Sequence, residues 1–223
     1  MDFGAMIGNS IEYAKDSVWG KWVKWVLLAI SYIIFPLIMG YIVRIYRGVK
    51  PAPELEEWGS MFIDGVKLFV IGLIYAIPVM LVFFIFGGAG IFGLMSAGNG
   101  QNDALIAAAL GSLFLGIILA IIVGIIISLI AMIGTIRFAR KNSMGEAFNI
   151  SAILAHIGKI GWGSYIIALI VLWLVSFVFA FVIGLLSAIP VIGWIIALFL
   201  YPVFAIFTAR YMTLIYESAP APA

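Results

Sequence analysis

Long apolar stretches alternate with short polar segments along this chain. The longest apolar stretch, from Asp103 to Phe138, has no charge or proline between Asp103 and Arg137. At about 1.5 Å of rise per residue it predicts a helix of roughly 50 Å, longer than a hydrocarbon core of about 30 Å. We therefore expect the helix to tilt or protrude, with Asn102 or Asp103 as its N-cap.

Small residues recur at every fourth position of this stretch. Positions four apart lie on one face of an α-helix, so the repeat predicts a flat ridge flanked by Leu, Ile and Val. In lipid such a face lets a second helix approach closely, and we expect it to pair with a helix of the same chain or of a neighbouring copy. The members of this small-residue ridge are Ala104, Ala108, Ser112, Gly116, Ala120, Gly124 and Ser128.

The order of polar and apolar segments repeats three times. Each copy is predicted to hold an amphipathic interfacial helix, an ascending span, a turn, and a descending segment that ends in arginine. The quasi-repeats cover residues 1–48, 54–141 and 145–216 of a single membrane domain, and a tail over 217–223 is predicted to be disordered. The predicted fold is an all-α integral membrane protein with four to five transmembrane helices.

The first quasi-repeat allows two topologies. As a re-entrant hairpin turning near Pro36, residues 22–47 place all twelve Lys and Arg on one side, leaving Asp103 as the only charge opposite. The positive-inside rule then makes that side, with both termini, cytoplasmic. Each arm is too short to cross a bilayer, so protein must shield its backbone. We favour the hairpin, and five spans with the N-terminus outside stay open.

Composition narrows the class of protein. Hydrophobic residues make up 65% of the chain and charged residues 10%, with a mean hydropathy of +1.25. So few charges could not cover the surface of a soluble domain, which leaves a polytopic membrane protein. The absence of cysteine excludes disulfides, cysteine-type zinc sites and thiol chemistry. A net charge of +2 is too small to indicate a nucleic-acid partner.

Side chains that could carry out chemistry are sparse. The apolar spans have no Asp, Glu, Lys or Arg at mid-membrane depth, where ion-coupled carriers usually place one. The single histidine, His156, falls on the polar face of a predicted interfacial helix, and no His, Cys and carboxylate cluster has metal-ligand spacing. We expect no catalytic residue, cofactor site or metal site, and therefore no enzymatic activity.

Basic residues collect where the descending segments end. Near a membrane surface each Lys or Arg contributes about 1 kcal/mol of attraction to anionic headgroups, although anchoring the topology alone would explain most of them. We expect these residues to face anionic headgroups on the cytoplasmic side of the cell membrane, with a second copy or another membrane protein as the protein partner. The predicted anchors are Arg44, Arg47, Arg137, Arg140, Lys141 and Arg210.

Four short motifs resemble a known family. They are Gly40-Tyr41-x-x-Arg44, Leu55-x-x-Trp58, Phe62-x-Asp64-Gly65 and Tyr75-x-x-Pro78. Together they are similar to the mostly archaeal membrane family called domain of unknown function 4013, and the resemblance extends from Trp22 to about Tyr211. That family usually has Leu-Pro-x-Trp at the second motif, where this chain has Glu56 in place of the proline. The resemblance implies a polytopic membrane protein and no mechanism.

Three functions remain open from the sequence. The leading hypothesis is a structural or assembly role, as a homo-oligomer or as an accessory subunit of a membrane complex. The second is a passive channel or small-solute permease, suggested by proline-interrupted helices and by a glycine-rich turn that carries Asn99, Gln101 and Asn102. The third and weakest is lipid binding along the basic residues.

Overall fold

We describe a computed structural model over residues 1–97 and 102–220. These residues form α-helices with a π-helical turn at Phe83–Gly87 and a 3-10 turn at Met144–Phe148, and they include no strand. The all-α prediction is therefore confirmed. The helices are α1 (Phe3–Val18), α2 (Trp22–Ile33), α3 (Phe35–Tyr46), α4 (Trp58–Val82), α5 (Gly88–Ser96), α6 (Asp103–Lys141), α7 (Ile150–Ile160), α8 (Trp162–Ser187) and α9 (Ile192–Glu217).

Within the described residues, four helical segments are long and apolar enough to cross a membrane. They are Trp58–Ser96, which joins α4, the π-helical turn and α5, together with α6, α8 and α9. A fifth is added if α2 and α3 count as one span. The prediction of four to five transmembrane helices is confirmed, and the chain is a multi-pass membrane protein.

The α2–α3 pair is bent by 118° at a break between the two helices. Pro36 is the second residue of α3. Its ring nitrogen carries no hydrogen for the carbonyl four residues earlier, which weakens the helix at this point and favours the break. Each arm has 12 residues. At about 1.5 Å per residue each arm is roughly 18 Å long, short of the hydrocarbon core, and the choice between re-entry and spanning stays a prediction.

Contacts within the chain define two compact units. The larger unit consists of Met1–Phe69 and Met132–Ala223, and the smaller unit of Val70–Ala131. Helices α4 and α6 each contribute residues to both units. The three quasi-repeats are an inference from sequence order and stay a prediction.

Helix α9 is the centre of the larger unit. Helices α1, α2, α3 and α8 all pack against it. Its buried residues include the polar side chains of Arg210 and Thr213 as well as Tyr211. Against α9, α1 contributes a face with two fully buried serines, Ser10 and Ser17, whose hydroxyls donate to carbonyls of their own helix. Small and polar side chains therefore lie in this core among larger apolar ones such as Ile206, Phe207 and Ile215.

The smaller unit pairs α6 with the segment around the π-helical turn. A Cβ atom added to Gly116 would lie 2.4 Å from the backbone nitrogen of Gly87. A larger residue at position 116 would therefore push α6 away from the π-helical turn. The Ser112 hydroxyl donates to the Phe86 carbonyl at 2.7 Å, which satisfies a group inside the π-helical turn. The N-cap of α6 is Asn102, whose side chain accepts from the Leu105 N–H at 3.0 Å.

The small-residue ridge is therefore divided between used and free positions. Ser112 and Gly116 pack within the smaller unit, and a Cβ atom added to Gly124 would lie 4.0 Å from the Val79 side chain. This internal pairing agrees with one of the two partners we expected for the ridge, a helix of the same chain. The ridge members that stay exposed are Ala104, Ala108 and Ser128.

Candidate functional site

Two glycines let α3 and α4 cross in backbone contact within the larger unit. A Cβ atom added to Gly40 would lie 1.7 Å from the Met61 carbonyl oxygen, and one added to Gly65 would lie 1.7 Å from the Pro36 carbonyl oxygen. No larger residue fits at either position without moving a helix. The crossing sets the side chains one turn beyond Gly40 against those at the start of α4.

The loop between α3 and α4 is held by the first two motifs. Tyr41 is fully buried, and its hydroxyl donates to the Pro53 carbonyl at 2.8 Å. Leu55, two residues after Pro53, is also buried. Arg44 donates to the Glu57 carbonyl at 3.3 Å and to the Ser60 hydroxyl at 3.2 Å. The loop backbone and the first turn of α4 are thus bound to the end of α3.

The tightest ion pair of the α3–α4 crossing joins Arg47 to Asp64. The two side chains approach to 2.7 Å, and Asp64 is only 7% exposed. Lys67 stands 3.9 Å from the other oxygen of the same carboxylate, and Asn142 accepts from Arg47 at 3.5 Å. A buried carboxylate is costly unless it is paired and hydrogen-bonded, so Arg47 is the partner that allows Asp64 to lie here.

Arg140, at the end of α6, completes the arrangement. Its Nε donates to the Tyr46 carbonyl at 2.6 Å, and its Nη2 pairs with Glu217 at 2.5 Å. Its guanidinium also lies over the Tyr216 ring, 5.7 Å from the centroid. The last turns of α3, α6 and α9 therefore meet at this cation.

These contacts surround an open cleft of about 560 Å³, which we call the polar cleft. Both charged motif residues, Arg44 and Asp64, line it, although they come from separate motifs. Chemically the cleft offers guanidinium and ammonium donors, a hydroxyl and an amide, with one buried carboxylate. Apart from the carboxylates Glu57 and Asp64, the polar side chains that line the cleft are Arg44, Arg47, Ser60, Lys67, Arg140 and Asn142.

Comparison with known proteins gives one family. The model of the family described as protein of unknown function (DUF4013) matches residues 25–188, which is well over half of the chain and includes all four motifs. This chain belongs to the DUF4013 family. No curated protein and no solved structure matches it significantly.

The DUF4013 motifs divide between the two compact units. Gly40, Tyr41, Arg44, Asp64 and Gly65 build the α3–α4 crossing and the polar cleft of the larger unit. Tyr75, which is buried, and Pro78, inside α4, belong to the smaller unit, and Trp58 begins α4 half-buried. The match to the family therefore does not reduce to a single site.

The predicted basic anchors do not all lie together. The polar cleft of this DUF4013 protein is lined by Arg44, Arg47 and Arg140. Lys141, the residue after Arg140, is exposed. Arg137 instead forms an ion pair with Glu146. The cleft thus gathers three of the six anchors.

Arg210 departs furthest from its predicted place at the headgroups. It is only 2% exposed, donates to the Asn9 side chain at 3.0 Å, and lies 5.1 Å from the centroid of the Tyr13 ring. Packing between α1 and α9 therefore encloses the guanidinium. Its partner is 201 positions away in the sequence, so no local pattern could have indicated this contact.

Three cleft residues, Ser60, Lys67 and Asn142, were not singled out from the sequence as a site. Ser60 and Lys67 were detectable in principle, because they share the polar face of an amphipathic stretch with Asp64. Asn142 has a left-handed backbone conformation, with φ of 51°, just after α6. Helices frequently end at such a residue, which brings the Asn142 amide back toward the cleft.

His156 and Glu54 lie outside the spans and have shifted pKa values. Burial lowers the pKa of His156, and the charges of Arg137 and Lys159 lower it further, against a hydrogen bond to the Tyr216 carbonyl. For Glu54 burial alone would raise the pKa, but ion pairs with Lys24 at 3.0 Å and Lys21 at 3.6 Å hold it below its ordinary value. Neither group lines the polar cleft.

No metal-binding cluster occurs in the parts of the chain that the structure describes. Over residues 1–97 and 102–220, no three His or carboxylate side chains are grouped so that they could hold an ion. Of the polar turn residues behind the channel hypothesis, Asn99 and Gln101 lie outside the described residues, as do residues 221–223 of the predicted disordered tail. Asn102 serves as the N-cap of α6.

Proposed function

We propose that this DUF4013 protein has a structural or assembly role in its membrane, as a homo-oligomer or as an accessory subunit of a larger complex, and that it is not an enzyme. The observation that carries the proposal is how the motif side chains are used. Gly40 and Gly65 allow α3 and α4 to cross in backbone contact. The Tyr41 hydroxyl donates to the Pro53 carbonyl of the loop between these helices, and Arg47 forms an ion pair with Asp64. These groups stabilise a rigid scaffold and leave no activated nucleophile or base among them.

The free part of the ridge is the surface best suited to a protein partner. Ala104 and Ala108 are exposed on α6, where a second helix could approach without displacing large side chains. Gly116 is buried against Gly87 and is not available to another chain. We therefore assign pairing between chains to the first two turns of α6.

Cysteine crosslinking in native membranes tests this assignment. The chain has no cysteine of its own, so every introduced thiol is unique. Ala108→Cys places a thiol on the free ridge, and Leu110→Cys, also exposed on α6 but about 200° away around the helix, is the matched control. We expect crosslinks from Ala108→Cys to a second copy or to another protein, and none from Leu110→Cys.

The result that contradicts pairing through the ridge is equally direct. If both variants are labelled by a small membrane-permeant thiol reagent but neither crosslinks, α6 faces lipid and the assembly surface lies elsewhere. Equal crosslinking from both positions would indicate random collision, with the same conclusion.

We also propose that the polar cleft and both termini face the cytoplasm of a cell membrane. The support is the positive-inside rule applied to an α2–α3 pair that is sharply bent and has arms too short to cross. Thiol labelling from one side checks it with exposed positions at Ala5→Cys, Ser143→Cys and Ile189→Cys. Labelling of the first two from the inside and the third from the outside is expected. Labelling of Ala5→Cys from the outside would establish five spans instead.

A further inference from the structure

We propose that the polar cleft binds a phosphate-bearing anion, either the headgroup of an anionic phospholipid or a soluble phosphate. The site lies within one chain, so it does not depend on the assembly proposed above. Its volume, about 560 Å³, falls within the range of roughly 300–1,000 Å³ that is usual for small-molecule sites.

The first argument is charge. Four cations and two carboxylates line the cleft, an excess of two positive charges: Arg44, Arg47, Lys67 and Arg140 against Glu57 and Asp64. A third carboxylate, Glu217, and a fifth cation, Lys50, lie 3.9 Å apart outside the lining and leave this excess unchanged.

Two of the three carboxylates are shared between cations. Asp64 serves Arg47 and Lys67, while Glu217 serves Arg140 and, at 3.9 Å, Lys50. Glu57 neutralises Arg44 only weakly, because its side chain is 79% exposed and the two groups are 3.8 Å apart. An anion entering the cleft would therefore meet attraction that the protein's own acids have not cancelled.

The second argument is donor chemistry. Guanidinium groups match phosphate oxygens in pairs and are less strongly hydrated than ammonium, which makes arginine clusters typical phosphate sites. Three arginines line this cleft, with the Lys67 ammonium and the Asn142 amide as further donors, while the Ser60 hydroxyl already donates to the Glu57 carbonyl at 3.0 Å. The arginine side chains are already positioned by their bonds to Glu57, Asp64 and Tyr46, so little side-chain freedom remains to be lost on binding.

The third argument is position. The cleft lies at the start of the apolar segment Trp58–Ser96 and at the end of α6, and the ends of spanning helices are where a chain meets the headgroup layer. Ile63, an exposed apolar residue of α4, lines the same cleft. A phospholipid could place its phosphate among the arginines and its glycerol and first methylenes along Ile63.

Arg137 and Arg210 are basic residues outside the cleft. Arg137 pairs with Glu146, and Arg210 donates to the Asn9 side chain. Neither lines the cleft. Charge alone thus does not define the site, which depends on the particular cations that the α3–α4 crossing brings together.

The test uses the purified full-length protein, delipidated in a non-ionic detergent, with binding followed by native mass spectrometry. Short-chain phosphatidylglycerol is the probe and phosphatidylcholine of the same chain length is the neutral comparison. Lys67→Gln removes a cleft cation that is 40% exposed and leaves the Arg47–Asp64 pair intact. Arg44→Gln removes a second one, and Lys159→Gln, exposed on α7, is the matched control.

We expect the wild type to prefer phosphatidylglycerol. Lys67→Gln and Arg44→Gln should each weaken that binding about fivefold, which corresponds to roughly 1 kcal/mol per cation near a membrane surface. Lys159→Gln should leave it unchanged. Inorganic phosphate added as competitor separates the sources: displacement of the lipid at millimolar phosphate indicates a soluble ligand, and no displacement indicates a headgroup.

Two results would overturn the proposal. One is binding of phosphatidylglycerol no tighter than that of phosphatidylcholine. The other is an equal loss in the Lys159→Gln control and in Lys67→Gln, or no loss in either cleft variant, while all variants keep the wild-type melting temperature.

Discussion

Helices α9 and α6 are both long enough to span a membrane, but the chain uses them in opposite ways. In the most apolar window of α9, 33% of the residues are buried inside the protein, against 6% for α6. The buried helix is the less apolar of the two and carries Arg210, Thr213 and Pro202 in its packed face. The exposed helix is almost uniformly Leu, Ile, Val, Ala and Gly.

The more apolar helix is thus the one with less of its surface buried inside the protein, so hydrophobicity alone does not mark the core here. Between lipid and protein interior there is little transfer free energy to gain, because acyl chains are as apolar as leucine. Close packing and hydrogen bonds then decide which helix is central. α9 has both, with the Tyr211 hydroxyl bonded to the Ala168 carbonyl of α8 at 3.2 Å and the Thr213 hydroxyl to the Ile45 carbonyl of α3 at 3.4 Å.

The largest predicted effect comes from truncating one aromatic side chain in each helix. Tyr211→Ala removes a fully buried ring from α9 and should cost about 3 kcal/mol of unfolding free energy, a typical value for a large core truncation. Phe114→Ala removes a ring that is 66% exposed on α6 and should change stability by no more than about 0.5 kcal/mol. Reversible unfolding in mixed micelles measures both. Equal losses would contradict the contrast between the helices.

An intermediate effect should come from the same substitution at two glycines of α6. Gly116→Ala places a Cβ atom 2.4 Å from the Gly87 nitrogen and should destabilise the smaller unit by about 1–3 kcal/mol, the usual range for overpacking. Gly111→Ala meets nothing within 4 Å and should stabilise the helix by about 0.5–1 kcal/mol. Melting temperatures of the two variants in the same detergent should move in opposite directions. A shift of the same sign in both would argue against the close contact at Gly87.

The smallest effect is a pH dependence confined to the larger unit. His156 is the only histidine in the chain, stacks on Tyr216 with ring centroids 4.0 Å apart, and has a pKa held below its ordinary value. Its native state binds fewer protons than its unfolded state, so stability is complete above the unfolded pKa of about 6.5 and falls as the pH drops below it.

Thermal unfolding between pH 7.5 and 5.5 measures this decline, and His156→Phe keeps the stacked ring while removing the titration. The variant should lose less stability than the wild type over that interval. A wild type that becomes more stable as the pH falls would contradict the direction of the pKa shift.

The spans and the helical class could be predicted from the sequence because the bilayer imposes them. A chain that crosses about 30 Å of hydrocarbon must satisfy its backbone within helices of about 20 apolar residues, and this requirement is visible in any window of composition. Proline marks a possible break near Pro36, but Pro78 and Pro202 lie inside continuous helices, so the turn was indicated by the placement of the basic residues. The spans and the helical class depend on neighbours in sequence.

The pairings could not be predicted in the same way. The four-residue spacing indicated a packing face on α6, but it does not say that Ser112 and Gly116 meet the turn at Phe86 and Gly87 while Ala108 stays free. A periodicity identifies a surface, and the identity of its partner depends on the rest of the fold.

The polar cleft was only partly visible for the same reason. Arg44 and Asp64 stood out as motif residues, but the pairing of Asp64 with Arg47 requires the α3–α4 crossing through Gly40 and Gly65. From the sequence, Gly40 and Gly65 could be identified only as members of two of the motifs that resemble the family. The structure supplies the physical reason, which is that two carbonyl oxygens occupy the space where their side chains would be.

The mass of the intact protein, extracted gently from its own membrane and measured by native mass spectrometry, tests the proposed assembly role most directly. We expect either a homo-oligomer, with a mass of two or more times 24.3 kDa, or a single copy bound to a second protein. A single copy of 24.3 kDa with no protein companion, under conditions that keep a known complex from the same membrane intact, would contradict it.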